Sequence, residues 1–155
     1  MAINANSYGT VLQVAALAPL YATSPNGTFS SSTRPTLTQV ETFIDQVSAT
    51  LNLLLAAQGF DIPVTQADAV MALAGFVVLE VVSLVEYANG AGPFIVEASQ
   101  LRASTPSRII LKDAEAFIAA HAVGLEALGV TRSRSLAFGL DAEDIDPLWS
   151  TDWSG

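Results

Sequence analysis

The chain contains no cysteine, which removes disulfides, thiolate nucleophiles and Cys-based zinc sites together. Histidine is nearly absent as well: His121 stands alone, too few nitrogen ligands for a transition-metal site. Basic residues are scarce, 6 Lys and Arg against 15 Asp and Glu, leaving a formal charge of -9. Affinity for nucleic acid comes largely from neutralising phosphates, so this balance excludes broad, tight contact with a phosphate backbone. Residues 1–9 lack the basic stretch and apolar core of a secretion signal, and the expectation is a protein that starts in the cytoplasm. There Asn26-Gly27-Thr28 is a turn and not a glycosylation acceptor.

What is present is helical periodicity. At 155 residues the chain suits one domain with a real core. Thr10 followed by Val11, Val14, Leu17 and Leu20, with a stop at Pro19, predicts a short helix over 10–18. Residues 21–35 then turn to Ser, Thr, Gly, Asn and Pro, sharpest at Ser24-Pro25-Asn26-Gly27, and predict a long loop in which Phe29 is a contact point. Thr36 and Gln39 form a capping box, with Pro35 able to staple onto Val40. Behind it Leu37, Val40, Phe43, Ile44, Val47, Leu51 and Leu54 recur at helical spacing until Gly59 offers a C-terminal cap. Asp61-Ile62-Pro63-Val64 reads as a connector, and Thr65 with Asp68 as the cap of the next helix. A shorter helix is expected over 94–103. Ser104-Thr105-Pro106 opens the last one, whose inward stripe is Ile109, Ile110, Phe117, Ile118, Leu125 and Leu128, ending at Gly129. The fold class predicted is all-α: a small helical bundle over 36–130, an extended N-terminal segment and loop over 1–35, and an extended C-terminal arm over 131–155.

The segment from Ala69 to Val85 is apolar almost all round and approaches the roughly 20 residues of a membrane span. Glu80 interrupts it, Glu86 follows, and neither end carries a Lys or Arg anchor. A helix of that kind without anchors belongs at the centre of a bundle or an oligomer, buried on most faces.

Catalysis finds little to work with. Glu80, Ser83 and His121 are the residues from which a nucleophile, base and orienter could be assembled. Ser83 nevertheless lies in Val82-Ser83-Leu84 on an apolar helix, without the Gly-x-Ser-x-Gly turn that exposes an activated hydroxyl. The simpler expectation pairs Glu80 with Arg108, Lys112 or His121 and leaves His121 partly buried. No enzyme activity and no cofactor are expected. Asp141, Glu143, Asp144 and Asp146 are dense, but the spacing of a calcium loop with its central Gly and terminal Glu is missing. The two helices around Gly59 to Thr65 lack any Lys or Arg on the second with which to read DNA, and Gly90-Ala91-Gly92-Pro93 lacks the Lys of a phosphate loop.

The C-terminal residues carry the strongest signal. Leu136, Phe138, Leu140, Ile145, Leu148, Trp149 and Trp153 are threaded through Asp141, Glu143, Asp144, Asp146 and Asp152, and Gly139 and Pro147 interrupt any helix. So short a segment cannot offset its ordering entropy from its own contacts, so its tryptophans need a surface supplied by something else. This is the signature of a docking arm.

The order of parts resembles the head-tail connector, or adaptor, proteins of long-tailed double-stranded DNA phages. The residues that carry the resemblance are Tyr8-Gly9-Thr10-Val11-Leu12 through Ala16-Leu17-Ala18-Pro19, then Phe29, then Thr33-Arg34-Pro35-Thr36-Leu37-Thr38-Gln39-Val40, then Phe43-Ile44-Asp45, Leu55-Ala56-Ala57-Gln58-Gly59-Phe60 and Pro63. It implies a helical bundle that assembles as a ring, typically of about twelve copies, beneath the portal protein of the capsid. Such a ring extends the DNA channel, through which DNA passes without specific binding, and receives a stopper or tail-completion protein below. The resemblance further implies that the C-terminal segment embeds in the portal, that the site is the head-tail junction of a virion assembled in the host cytoplasm, and that no membrane is involved. On that reading Phe29, Arg34, Arg132 and Arg134 are assigned to contacts between subunits, and the N-terminal segment and loop to neighbouring subunits or the ring below. A second reading, from another class, is a soluble regulatory or scaffold protein whose acidic-aromatic tail is a peptide ligand for a partner domain.

Overall fold

The computed structural model describes residues 3–23, 27–90 and 106–133. Within them the protein is all-α, with helices α1 (Val11–Leu17), α2 (Leu37–Ala57), α3 (Ala67–Ala88) and α4 (Pro106–Ala127) and isolated bridges in place of strands. The expected turn at Ser24-Pro25-Asn26, the helix over 94–103 and the cap at Ser104-Thr105 lie outside the described residues.

Local sequence explains how the first two helices begin. Thr10 and Thr36 each accept a hydrogen bond from the backbone N–H three residues on, while the Gln13 and Gln39 side chains reach back to the cap N–H. Thr65 does not repeat the device. α3 starts at Ala67 with Gln66 as its cap residue and no side-chain cap bond, because Gln66 Oε1 takes the Thr65 N–H. Asp68 has a shorter side chain than the glutamines that close the other two boxes. Pro106 is the first residue of α4, where its missing N–H would have had no helical partner.

α2 and α4 end alike. Past α2, the Gly59 N–H donates to Ala56 O and the Phe60 N–H to Leu55 O; past α4, Gly129 and Val130 repeat this with Glu126 and Leu125. This is the Schellman arrangement, and Gly59 at φ +83 occupies the left-handed position it demands. Leu55 with Phe60, and Leu125 with Val130, are buried as the hydrophobic halves of these caps.

One core joins all four helices. α2 gives it Val40, Ile44, Val47, Leu51 and Leu55, α3 gives Ala69, Leu73, Val77, Val81 and Val85, and α4 gives Ile110, Ala114, Ile118 and Leu125. The inward stripes are shifted from expectation: Leu37 and Leu128 are exposed, and small Ala114 lies inside where α4 approaches its neighbours. On α1 the inward residues are Val14, Ala15 and Ala18, so Leu17 and Leu20 turn to solvent, Leu20 being 91% exposed.

The N-terminal segment belongs to the same body. Asn4 N–H and Ser7 Oγ donate to Asp45 Oδ1, Tyr8 N–H donates to the buried Ser48 Oγ, and Asn52 Nδ2 donates to Asn6 O. The Tyr8 hydroxyl donates to Asn52 Oδ1 at 2.6 Å and accepts from the Val64 N–H at 3.1 Å. Burial pushes the Tyr8 phenol above its ordinary pKa, with the Val64 N–H opposing. Gly9 then turns the chain into α1 so close to α3 that an added Cβ would lie 2.9 Å from Val78 Cγ2. Asn4, Asn6, Ser7 and Tyr8 thus hold this segment against α2 of their own chain.

Candidate interaction site

The last described residues, 131–133, are held at a defined point. The twin helix ends bring Phe60 beside Arg132 as an antiparallel bridge, with the Asp61 N–H donating to Thr131 O at 2.9 Å. The Thr131 and Ser133 hydroxyls both donate to the Asp61 carboxylate, and these bonds hold its pKa below the ordinary value. Arg132 lies over the Phe60 ring, 4.4 Å from its centroid, and pairs with Glu126 at 2.7 Å. Residues 131–133 are therefore clasped to the α2–α3 connector.

Of the residues assigned to subunit contacts, Phe29 and Arg132 meet partners within their own chain. Phe29 is 4% exposed and fills the core of its own chain, because its loop folds back onto α2 through the Leu37 N–H donating to Ser30 O. Arg132 pairs with Glu126 of the same chain. Arg34 is exposed beside Pro35, Thr36, Gln39 and Phe43, in a shallow depression that Ala88 closes. Arg134 and the arm residues Leu136, Phe138, Leu140, Ile145, Leu148, Trp149 and Trp153 lie outside the described residues, as do the acids from Asp141 to Asp146.

α3 was expected to be covered on most faces, and within one chain it is not. Met71 is 73% exposed and Leu79 60%, on one line with Gly75 between them at steps of four residues. α1 packs along the neighbouring side of α3, whose Ala74 and Val78 meet Gly9, and α4 along another, where Phe76 meets Phe117 at 4.7 Å between ring centroids. α3 is also the one described helix long and apolar enough to cross a membrane, and 44% of that stretch is buried inside the protein. The signal for the open strip was already in the sequence: glycine at the middle of an apolar i, i+4, i+8 row.

Glu80 sits one turn after Phe76 on α3, and Asp113 one turn before Phe117 on α4. The ring contact between antiparallel helices therefore sets two acids against each other. Burial first, then the Asp113 charge, raise the Glu80 pKa to about 7. The expected pairing with Lys112 or His121 is not formed. Lys112 is exposed, and exposed His121 stacks on Phe117 with Nδ1 2.8 Å from the Phe117 carbonyl oxygen. The Arg108 side chain lies outside the described residues. Ser83 donates its hydroxyl to Leu79 O, the ordinary habit of a helical serine, and does not meet His121 in any catalytic arrangement.

An open groove of about 600 Å³ runs along the outward side of α2, between Asn4–Ser7 on one wall and Leu53 and Ile62 at one end. A smaller one, about 410 Å³, lies where Phe43 and Val47 approach Leu84 and Ile110. Sequence reasoning missed the clasp at Asp61, Thr131 and Ser133. The usable signal was the pair of Gly caps at Gly59 and Gly129, each followed by a buried apolar residue and then a hydrogen-bonding one. No family model, curated protein or solved structure matches the chain.

Proposed function

We propose that this protein is a structural component of a virus particle: a head-tail connector whose copies form a ring under the portal, extend the DNA channel and join capsid to tail. The observation that carries the reading is the arm. Seven large apolar side chains mixed with acids continue from a root that Asp61, Thr131 and Ser133 tie to the bundle. A fixed root and a greasy, acidic continuation suit insertion into another molecule. Each large side chain buried there contributes roughly 1.5–3 kcal/mol before ordering costs. Identical arms on one ring act together, so that modest single affinities yield a lasting attachment.

Other features support the same reading. The open strip of α3 and the exposed Leu12, Leu17 and Leu20 supply apolar surface for neighbouring copies. The charge of -9 suits a channel through which DNA slides without sticking. The partners are then the portal, further copies of the chain, and a stopper or tail-completion protein, at the head-tail junction of a virion assembled in host cytoplasm.

The test compares portal binding by the full chain and by a chain ending at Ser133, which keeps the clasp. Binding by the full chain alone, with rings visible by electron microscopy on the portal, is the expected result. Equal binding by both chains removes the role of the arm. A full chain that stays monomeric beside the portal refutes the connector reading.

A further inference from the structure

We infer that copies of this chain join through two faces that no single chain can bring together: the open strip of α3 on one copy and the outward side of α4 on the next. The inference rests on the ring proposed above for its second copy, and it names the surfaces that form the joint.

The two faces have opposite relief. On α3 the strip carries two large exposed side chains, Met71 and Leu79, on either side of Gly75, where nothing lies within 4 Å of an added Cβ. The outward side of α4 is the reverse. Exposed Ala116, Ala119, Ala120 and Ala127 surround one larger residue, Val123, which is 79% exposed. An antiparallel pairing that seats Val123 in the gap at Gly75 brings Leu79 over Ala119 and Met71 over Ala127, since residues four apart share one face of each helix. Bulk then meets a hollow at all three points, which lets two helices pack at about 8–10 Å between axes.

Charge selects the same register. Lys112 lies eleven residues before Val123 and Glu86 eleven residues after Gly75, about 16–17 Å along either helix. The pairing that seats Val123 therefore sets Lys112 opposite Glu86, and neither has an ion-pair partner among the described residues. Pairing α3 with a second α3 instead gathers two copies each of Asp68 and Glu86 in one seam, with no base on either helix. The contact is thus heterologous, the kind that closes into rings. Direction agrees. Gln66, just before α3, lies against Gly129, just past α4, so the two helices run antiparallel within a chain. Rotation about an axis along the bundle keeps those directions and presents α4 of the next copy antiparallel to α3. Gln66 stands level with Gly129 within a chain, and Met71 with Ala127 across the joint, which leaves neighbouring copies within one helical turn of the same height, as a closed ring requires.

The test uses the full chain, concentrated in solution. Glu86→Lys and Lys112→Glu are each expected to weaken association several-fold in sedimentation velocity, and the double variant to restore it. Glu86→Lys also lowers the overall negative charge, so a general easing of repulsion would strengthen association instead. The chain's lack of cysteine permits trapping as well. Leu79→Cys with Ala119→Cys is expected to give, under mild oxidation, a ladder of chains joined between 79 and 119, identified by mass after digestion; Leu79→Cys with Leu53→Cys, at an exposed position on α2, is expected to form no 79–53 link. Links joining 79 to 79 mean a two-fold contact, and a double charge variant no better than the single ones means another surface; either overturns the inference, as does a chain that stays monomeric at every concentration. The connector reading is judged apart from this: rings on the portal without the 79–119 link overturn the joint and leave that reading standing.

Discussion

Replacing Glu80 by glutamine should stabilise the bundle at pH 8 and leave it nearly unchanged below pH 4. The carboxyl releases its proton near its ordinary value of 4.5 in the unfolded chain but only at about 7 in the folded one, because burial and Asp113 both disfavour its charge. Between those values the folded state binds more protons than the unfolded state, so stability falls as pH rises through the window and stays lower above it. The full displacement corresponds to about 3 kcal/mol, which solvent screening at a half-buried side chain reduces to about 1–2 kcal/mol. Glutamine keeps the shape, carries no charge at any pH and offers Asp113 a donor. Urea unfolding followed by far-UV circular dichroism, run on both proteins at pH 4 and pH 8, reads the difference. A variant that matches the parent at pH 8, or is less stable there, refutes the argument that two acids face each other across α3 and α4.

Ser48→Ala removes the acceptor of the buried Tyr8 N–H and should cost about 1–3 kcal/mol in the same urea experiment. Gly59→Ala forces a side chain into a left-handed conformation and toward the Ser133 carbonyl; a loss of at least about 1 kcal/mol, measured by thermal unfolding, is expected. Gly75→Ala adds a methyl group where nothing lies within 4 Å, so the isolated chain should gain about 0.5–1 kcal/mol. If copies pack along Met71 and Leu79, the same variant weakens their association in sedimentation velocity, and a gain in stability with unchanged association would show that strip to be free of neighbours.

Local chemistry was legible in the residues, and distant chemistry was not. Thr10 with Gln13, Thr36 with Gln39, and Pro106 mark helix starts because donor and acceptor are three residues apart or within one residue. The Thr65 cap failed for an equally local reason: Gln66, next in line, competes for the same N–H. Tyr8 on Ser48 and Asn52, by contrast, spans 40 and 44 positions, and no pattern near Tyr8 announces it. Phe29 read as a contact point, and it is one, but a loop's sequence does not say whether the surface it meets is its own. The end of α4 likewise sets Glu126 beside Arg132, a pairing six residues apart that helical spacing does not announce. The opposition of Glu80 and Asp113 depends on the rotation of two helices about their axes, which the Phe76–Phe117 contact sets and spacing alone does not.

The stitching of the first residues to α2 and Val64 imposes an order on biosynthesis. The Tyr8 hydroxyl cannot meet its backbone partner until 56 further residues have been made and have cleared the ribosome. At the roughly 5–20 residues per second of translation, this segment of the nascent chain waits for seconds, with its tyrosine and valines uncovered, before the hairpin of α2 and α3 arrives to receive it.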